Sequence, residues 1–121
     1  MSARVLVVAA HGDDEALGCG ATIAEHVAAG DEVHVLIMAD GVSSRGATDS
    51  DIEERRACAR RANAILGTHE LTMFSYADNE MDKYPQLQVV KDIETHIEKF
   101  KPTIVYTHWP NDLNVDHRVV S

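Results

Sequence analysis

Residues 3–15 read Ala3-Arg4-Val5-Leu6-Val7-Val8-Ala9-Ala10-His11-Gly12-Asp13-Asp14-Glu15. The first part is a continuous run of apolar, largely β-branched residues. That is the pattern of a strand covered on both faces, as strands of parallel sheets are. The second part crowds one imidazole and three carboxylates where that strand should end. Like charges this close repel and are costly to desolvate. A divalent cation turns the repulsion into attraction, because carboxylate and imidazole are its natural ligands. A second cluster, Thr107-His108-Trp109-Pro110-Asn111-Asp112-Leu113-Asn114-Val115-Asp116-His117, follows a second apolar run, Thr103-Ile104-Val105-Tyr106. Two ligand-rich loops at the same ends of two parallel strands face one crevice.

Outward from these runs the chain alternates strand and helix. The strand Ala3–Ala10 precedes a helix over Asp14–Ala29, with Leu17, Ala21, Ala24, Val27 and Ala28 at helical spacing and Gly30 as its stop. Gly18 and Gly20 inside that helix cost stability relative to Ala, which predicts that another backbone packs closely there. A strand over Glu32–Ala39, a polar loop over Asp40–Ser50 and a helix over Asp51–Leu66 follow, the last closed by Gly67. Then come a short strand, Leu71–Phe74, and a polar loop, Ser75–Pro85. The helix Gln86–Phe100 shows Leu87, Val90, Ile93, Ile97 and Phe100 along one face. The strand Thr103–Thr107 and a helix from Val115, expected to be poorly held, complete the chain. Such alternation predicts right-handed crossovers and a parallel sheet. The expected fold is a Rossmann-like three-layer α/β/α domain with a mainly parallel sheet, a single unit over residues 1–121, with Thr103–Thr107 beside the first strand. A four-stranded sheet ending in an uncapped helix reads as a domain truncated at its C-terminus. Its open edge invites pairing with another chain, so a homo-oligomer is expected.

The 121 residues suffice for one modest core. Hydrophobic residues at 45% and charged residues at 26% are ordinary globular usage. A net charge of −9 argues against a surface that tracks nucleic-acid phosphates. No apolar run reaches the length of a membrane span, and no secretory leader pattern opens the chain. Cys19 and Cys58 form neither a disulfide framework nor a zinc-type pair. Both read as buried small hydrophobes in a reducing, cytoplasmic compartment.

His11 and Asp14 stand three residues apart across a strand-to-helix turn, a spacing that lets both side chains fold toward one point. His117 is the third candidate ligand, from the distant loop. Three protein ligands and one open position make the arrangement of a catalytic zinc site, though His and Asp ligands also suit other first-row divalent ions. Zinc lowers the pKa of water toward ~7, and Asp13, lying between the two ligands, is the carboxylate placed to take the proton. Asp116 reads as a partner that orients a histidine. His108 either donates to a developing oxyanion or lines the rim. Glu15 falls in a first helical turn, where a carboxylate favours the dipole. His26, His34, His69 and His96 have no acidic cluster beside them and read as structural. Trp109 reads as a loop anchor.

Together the two loops resemble the LmbE-like (PIG-L type) N-acetylglucosaminyl deacetylase family. The family's first motif, roughly Ala/Pro-His-Pro-Asp-Asp-Glu, corresponds to Ala10-His11-Gly12-Asp13-Asp14-Glu15. Its last, Pro-x-Asp-x-His-x-Asp-His, corresponds to Pro110-Asn111-Asp112-Leu113-Asn114-Val115-Asp116-His117. Arg55-Arg56, Ala64-Ile65-Leu66-Gly67 and Tyr76-Ala77-Asp78-Asn79 also look like family segments. The resemblance implies a zinc hydrolase that removes the N-acetyl group from an amino sugar (GlcNAc-type) within a larger conjugate. It implies His11, Asp14 and His117 as zinc ligands, Asp13 as general base, and Arg55 and Asp78 near the substrate. Asn114 stands where many members carry a histidine that stabilises the tetrahedral intermediate. It is counted with Asp13 and His108 among the catalytic positions, although Asn can donate a hydrogen bond and cannot be cationic. Cys58 replaces the Glu that usually follows Arg55 by three positions. The alternative readings are a non-catalytic sugar-binding relative and a receiver-type signalling domain. The latter lacks an acceptor Asp at Met73-Phe74-Ser75. A nucleotide-binding module is disfavoured because Gly12, Gly18 and Gly20 make no G-x-G-x-x-G.

Overall fold

Six residues of the opening run, Arg4–Ala9, form β1, and all but Arg4 are buried. The structure, a computed structural model, describes residues 2–11, 14–39, 49–76, 81–108 and 115–121. After β1 come α1 (Asp14–Ala28), β2 (Glu32–Ala39), α2 (Asp49–Leu66), β3 (Glu70–Tyr76), a single 3₁₀ turn (Met81–Lys83), α3 (Gln86–Phe100), β4 (Ile104–Tyr106) and α4 (Val115–Val120). The strand order is β3-β2-β1-β4, and all three pairings are parallel. Val5 pairs with Val33 on one side and with Ile104 on the other. The expected parallel α/β fold is therefore present, with β4 beside β1.

Alternation along β1 divides the core into two. Leu6, Val8 and Ala10 pack with Leu36, Met38, Met81, Val89, Phe100 and Val120, under α3 and α4. Val5 and Val7 pack with Val33, Val35 and Ile37 against Ile23 of α1 and Ala59 of α2. Each fully buried aliphatic side chain contributes about 1.5–3 kcal/mol, so the central strands anchor both helical layers. Gly67 ends α2 at φ 83°, and a Cβ there would meet Cγ1 of Val27 at 3.0 Å. A glycine at this one position supplies both the left-handed turn and the close approach of α1.

Several expectations need correction. On α1 the partly or fully buried line is Cys19, Ile23 and Val27, while Ala21, Ala24 and Ala28 are exposed. No backbone packs on Gly18 or Gly20: a Cβ at either would meet nothing within 4 Å among the described residues. Cys58 is exposed, because Ala59 and Asn63 face the core from α2. Its Sγ accepts an N–H from Arg61 at 3.1 Å. On α3 the core takes Val89 and Phe100 fully and Ile93 in part, whereas Leu87 is 63% exposed and Val90 and Ile97 lie at the surface. β3 continues to Tyr76, whose buried hydroxyl donates to Asp92. Burial, and then that hydrogen bond, push the phenol up to about 12. Met81, in a stretch that reads as polar loop, is fully buried. The final helix is held rather than loose, since Asp116 and Val120 are both buried.

Two of the four structural histidines do have carboxylates beside them. His26 Nδ1 meets Asp31 Oδ2 at 2.7 Å and its Nε2 meets the Tyr106 hydroxyl at 3.0 Å. The Ala3 amide donates to the other oxygen of Asp31, which ties the start of β1 to the end of α1. His34 lies between Glu32 and Glu70, at 3.4 and 3.5 Å, and stacks on Phe100. Neither histidine belongs to a group of three or more potential ligands able to hold a metal among the described residues. No helix among those residues is long and apolar enough to cross a membrane.

Candidate active site

The last paired residues of β1 and β4 are Val7 and Tyr106. Beyond them the two chains stay together through a side chain. The Ala10 amide donates to Nε2 of His108 at 2.9 Å, and the Ala10 carbonyl accepts from the Ala39 amide at 2.7 Å. Ala10 is fully buried, so both of its backbone groups need these partners. The next residue, His11, leaves a backbone fixed from both neighbouring strands.

His11 Nε2 lies 2.7 Å from Oδ2 of Asp116, which is 0% exposed. Oδ1 of Asp116 accepts the Met81 amide at 2.9 Å. An ionised carboxylate only accepts, so Nε2 of His11 donates, and the lone pair of the ring lies on Nδ1. The His117 ring lies 5.3 Å from that of His11, tilted by 47°. It stacks on His108 at 3.9 Å and 9°. Nδ1 of His117 is buried.

Four of the residues singled out in the sequence, His11, His108, Asp116 and His117, thus meet at the carboxyl ends of β1 and β4. Asp13, Asp78, Asn114 and Trp109 lie outside the described residues, as does the side chain of Asp14, which opens α1. Arg55 and Arg56 line a small pocket with Ala39 and Phe74, toward the carboxyl ends of β2 and β3. Among the described residues no group of three or more His, Cys, Asp or Glu side chains is placed to hold a metal ion; what these residues bring together is a pair of imidazoles, one of them braced by a buried carboxylate. Met81 is the contributor that the sequence does not announce; its only signal is an isolated apolar residue between acidic neighbours.

A cavity of about 450 Å³ opens at the opposite end of the sheet, lined by Arg4, Glu32, His34, Glu70 and Phe100 among others. It lies at the amino ends of the strands, away from the end at which open α/β sheets bind ligands. Burial holds the His34 imidazole below its ordinary value, against the opposing pull of Glu70 and Glu32.

Fold and site together define a doubly wound α/β domain with a ligand-rich centre at the carboxyl end of its sheet. The family model described as GlcNAc-PI de-N-acetylase (PIG-L) matches residues 6–121, and the chain belongs to that family. It is 33% identical to the diacetylchitobiose deacetylase of Thermococcus kodakarensis over 124 residues, taking in 95% of this chain and 45% of that protein. Its identity to the uncharacterized deacetylase YaiS of Escherichia coli is 31%, over 96% of this chain and 63% of that one. The solved N,N'-diacetylchitobiose deacetylase of Pyrococcus horikoshii, complexed with its inhibitor MPG, superposes with a TM-score of 0.82 at 28% identity. That match covers 97% of this chain and 46% of that one. The chain therefore spans between 45% and 63% of the length of these relatives. The family resemblance read from the two motifs is borne out.

Proposed function

We propose that this chain carries the metal and proton-transfer centre of a zinc-dependent N-deacetylase. Its substrate class is an N-acetylated amino sugar of the GlcNAc type within a larger conjugate. The observation that carries this reading is the meeting of His11 and His117, 5.3 Å apart, with Asp116 bound to His11. The family, and the deacetylase names of the similar proteins, supply the reaction class.

In this reading His11, Asp14 and His117 hold the ion. When bound, zinc polarises a carbonyl and lowers the pKa of water toward ~7. Asp13 takes the proton of the attacking water and returns it to the leaving amine. Asn114 donates a hydrogen bond where negative charge develops on the acetyl oxygen. Arg55 and Asp78 orient the sugar. The exposed thiol of Cys58 fits a reducing cytoplasm.

The test has two parts. Purified protein is expected to bind about one zinc per chain; full occupancy in a His11→Ala, His117→Ala double variant would overturn the ligand assignment. Asp13→Asn is expected to keep the metal and lose about 10²–10⁴ in the rate of acetate release from diacetylchitobiose. A variant as fast as the parent removes Asp13 from the role of base.

A further inference from the structure

We infer that His108 is a positioning residue, one imidazole that locks the two ligand loops of the proposed metal centre to each other. Its edge and its face do different things. At the edge, Nε2 accepts the Ala10 amide at 2.9 Å. On the face, the ring lies 3.9 Å from that of His117, within 9° of parallel. Asp116, the neighbour of His117, holds Nε2 of His11 at 2.7 Å, and His11 follows Ala10. The contacts therefore close a circuit: Ala10 to His108, His108 to His117, Asp116 to His11, and His11 back to Ala10.

The circuit takes over where the sheet stops. Val7 and Tyr106 are the last paired residues of β1 and β4. Past them the imidazole of His108 occupies the place of the acceptor that a longer β4 would offer to the Ala10 amide. An acceptor at Nε2 means that the ring proton sits on Nδ1, so the edge that faces β1 does not donate to substrate. A group buried as fully as Ala10 makes this bond costly to lose. Either contact alone is ordinary packing. Both together set the direction in which His11 leaves the sheet and the plane in which His117 lies, the two quantities that a tetrahedral site must have right.

The metal half of this inference rests on the proposed zinc centre; the backbone half does not. The experiment separates them with three variants of the same chain. His108→Gln retains an oxygen acceptor for the Ala10 amide and loses the stacked ring. His108→Phe retains a ring for His117 and loses the acceptor. His108→Ala loses both. Hydrogen exchange at the Ala10 amide, followed by NMR, should be slow in the parent and in His108→Gln and much faster in His108→Phe and His108→Ala. Zinc affinity, measured by chelator competition, should fall about ten- to a hundredfold in His108→Ala, with His108→Gln and His108→Phe each recovering part of the loss. Unchanged Ala10 exchange in His108→Phe overturns the inference, whatever happens to zinc. So does a His108→Ala variant that binds zinc as tightly as the parent. A parent that binds no zinc overturns the proposed function instead, and the Ala10 exchange then decides the positioning role alone.

Discussion

Asp116 accepts two hydrogen bonds at once, from the Met81 amide and from His11, with no exposure to water. Removing it takes the acceptor from the buried Met81 amide and from the part-buried His11 ring, so Asp116→Ala is expected to cost about 3 kcal/mol, read from urea unfolding. Asp116→Asn is the sharper probe. Its single oxygen can keep the Met81 amide, which turns the NH₂ group toward Nε2 of His11. That nitrogen must then accept, and the ring proton moves to Nδ1, where a metal would bind. The expected outcome is a folded protein whose zinc affinity is about ten- to a hundredfold weaker, checked by chelator competition. Two other residues contribute to the response to acid. Burial lowers the folded-state value of His34 below its ordinary 6.5, so the stability this implies is present above pH 6.5 and is lost as pH falls through the folded value. Hydrogen bonding, first from His26 and then from the Ala3 amide, lowers Asp31 below 3.8. Its contribution is present above that pH and is lost as pH falls further. Urea midpoints should therefore drop in two stages on acidification. His34→Phe, which preserves the stack on Phe100, should remove the upper stage.

Among the elements, β2 and α3 run over the residues that the hydrophobic pattern assigns, because each is bounded by residues that stop it: Gly30 before β2 and Pro85 before α3. The faces of the helices are less legible. Alanines at helical spacing on α1 look like a core stripe and are exposed, since their small side chains gain little from burial, while Ile23, with Cys19 and Val27 beside it, packs on the sheet. The pairing of Asp116 with a histidine follows from the Asp-His adjacency in the last motif. The bond from Ala10 to His108 is not legible, because its partners lie 98 residues apart and only the order of strands brings them together. At its other end α3 makes an unusual stop. Lys101 adopts the left-handed conformation, φ 53°, while its amide donates to the Ile97 carbonyl. A side chain there is strained, and glycine is the ordinary occupant. Lys101→Gly should raise stability by about 0.5–1 kcal/mol, net of the entropy that glycine adds to the unfolded chain. A lower urea midpoint in that variant would show that the lysine side chain supports the cap.

At the scale of the whole molecule, β4 is an edge of the described sheet and is only three residues long. Val105 on it is 47% exposed, above an apolar groove lined by Val89, Ile93, Val119 and Val120. An edge of this kind pairs readily with another chain, while the net charge of −9 opposes close approach of two copies. The balance depends on salt, whose screening length is about 10 Å at 0.1 M. The chain on its own is expected to associate, more strongly as salt rises, and Val105→Lys to shift it toward monomer in light scattering. A parent that stays monomeric at every salt concentration contradicts this. The same strand order has a consequence for synthesis. β1 lies at the interior of the sheet, yet the partners that complete its far edge and its ligand loop are 98 and 105 residues away. At about 5–20 residues per second, the ribosome takes roughly 5 to 20 s to cover that distance. Once β2 has paired with β1, the other edge of that apolar strand stays open until β4 arrives, and His11 still lacks Asp116. The histidine cluster closes only once α4 has been delivered, which makes the interval before that moment the one in which chaperones matter most.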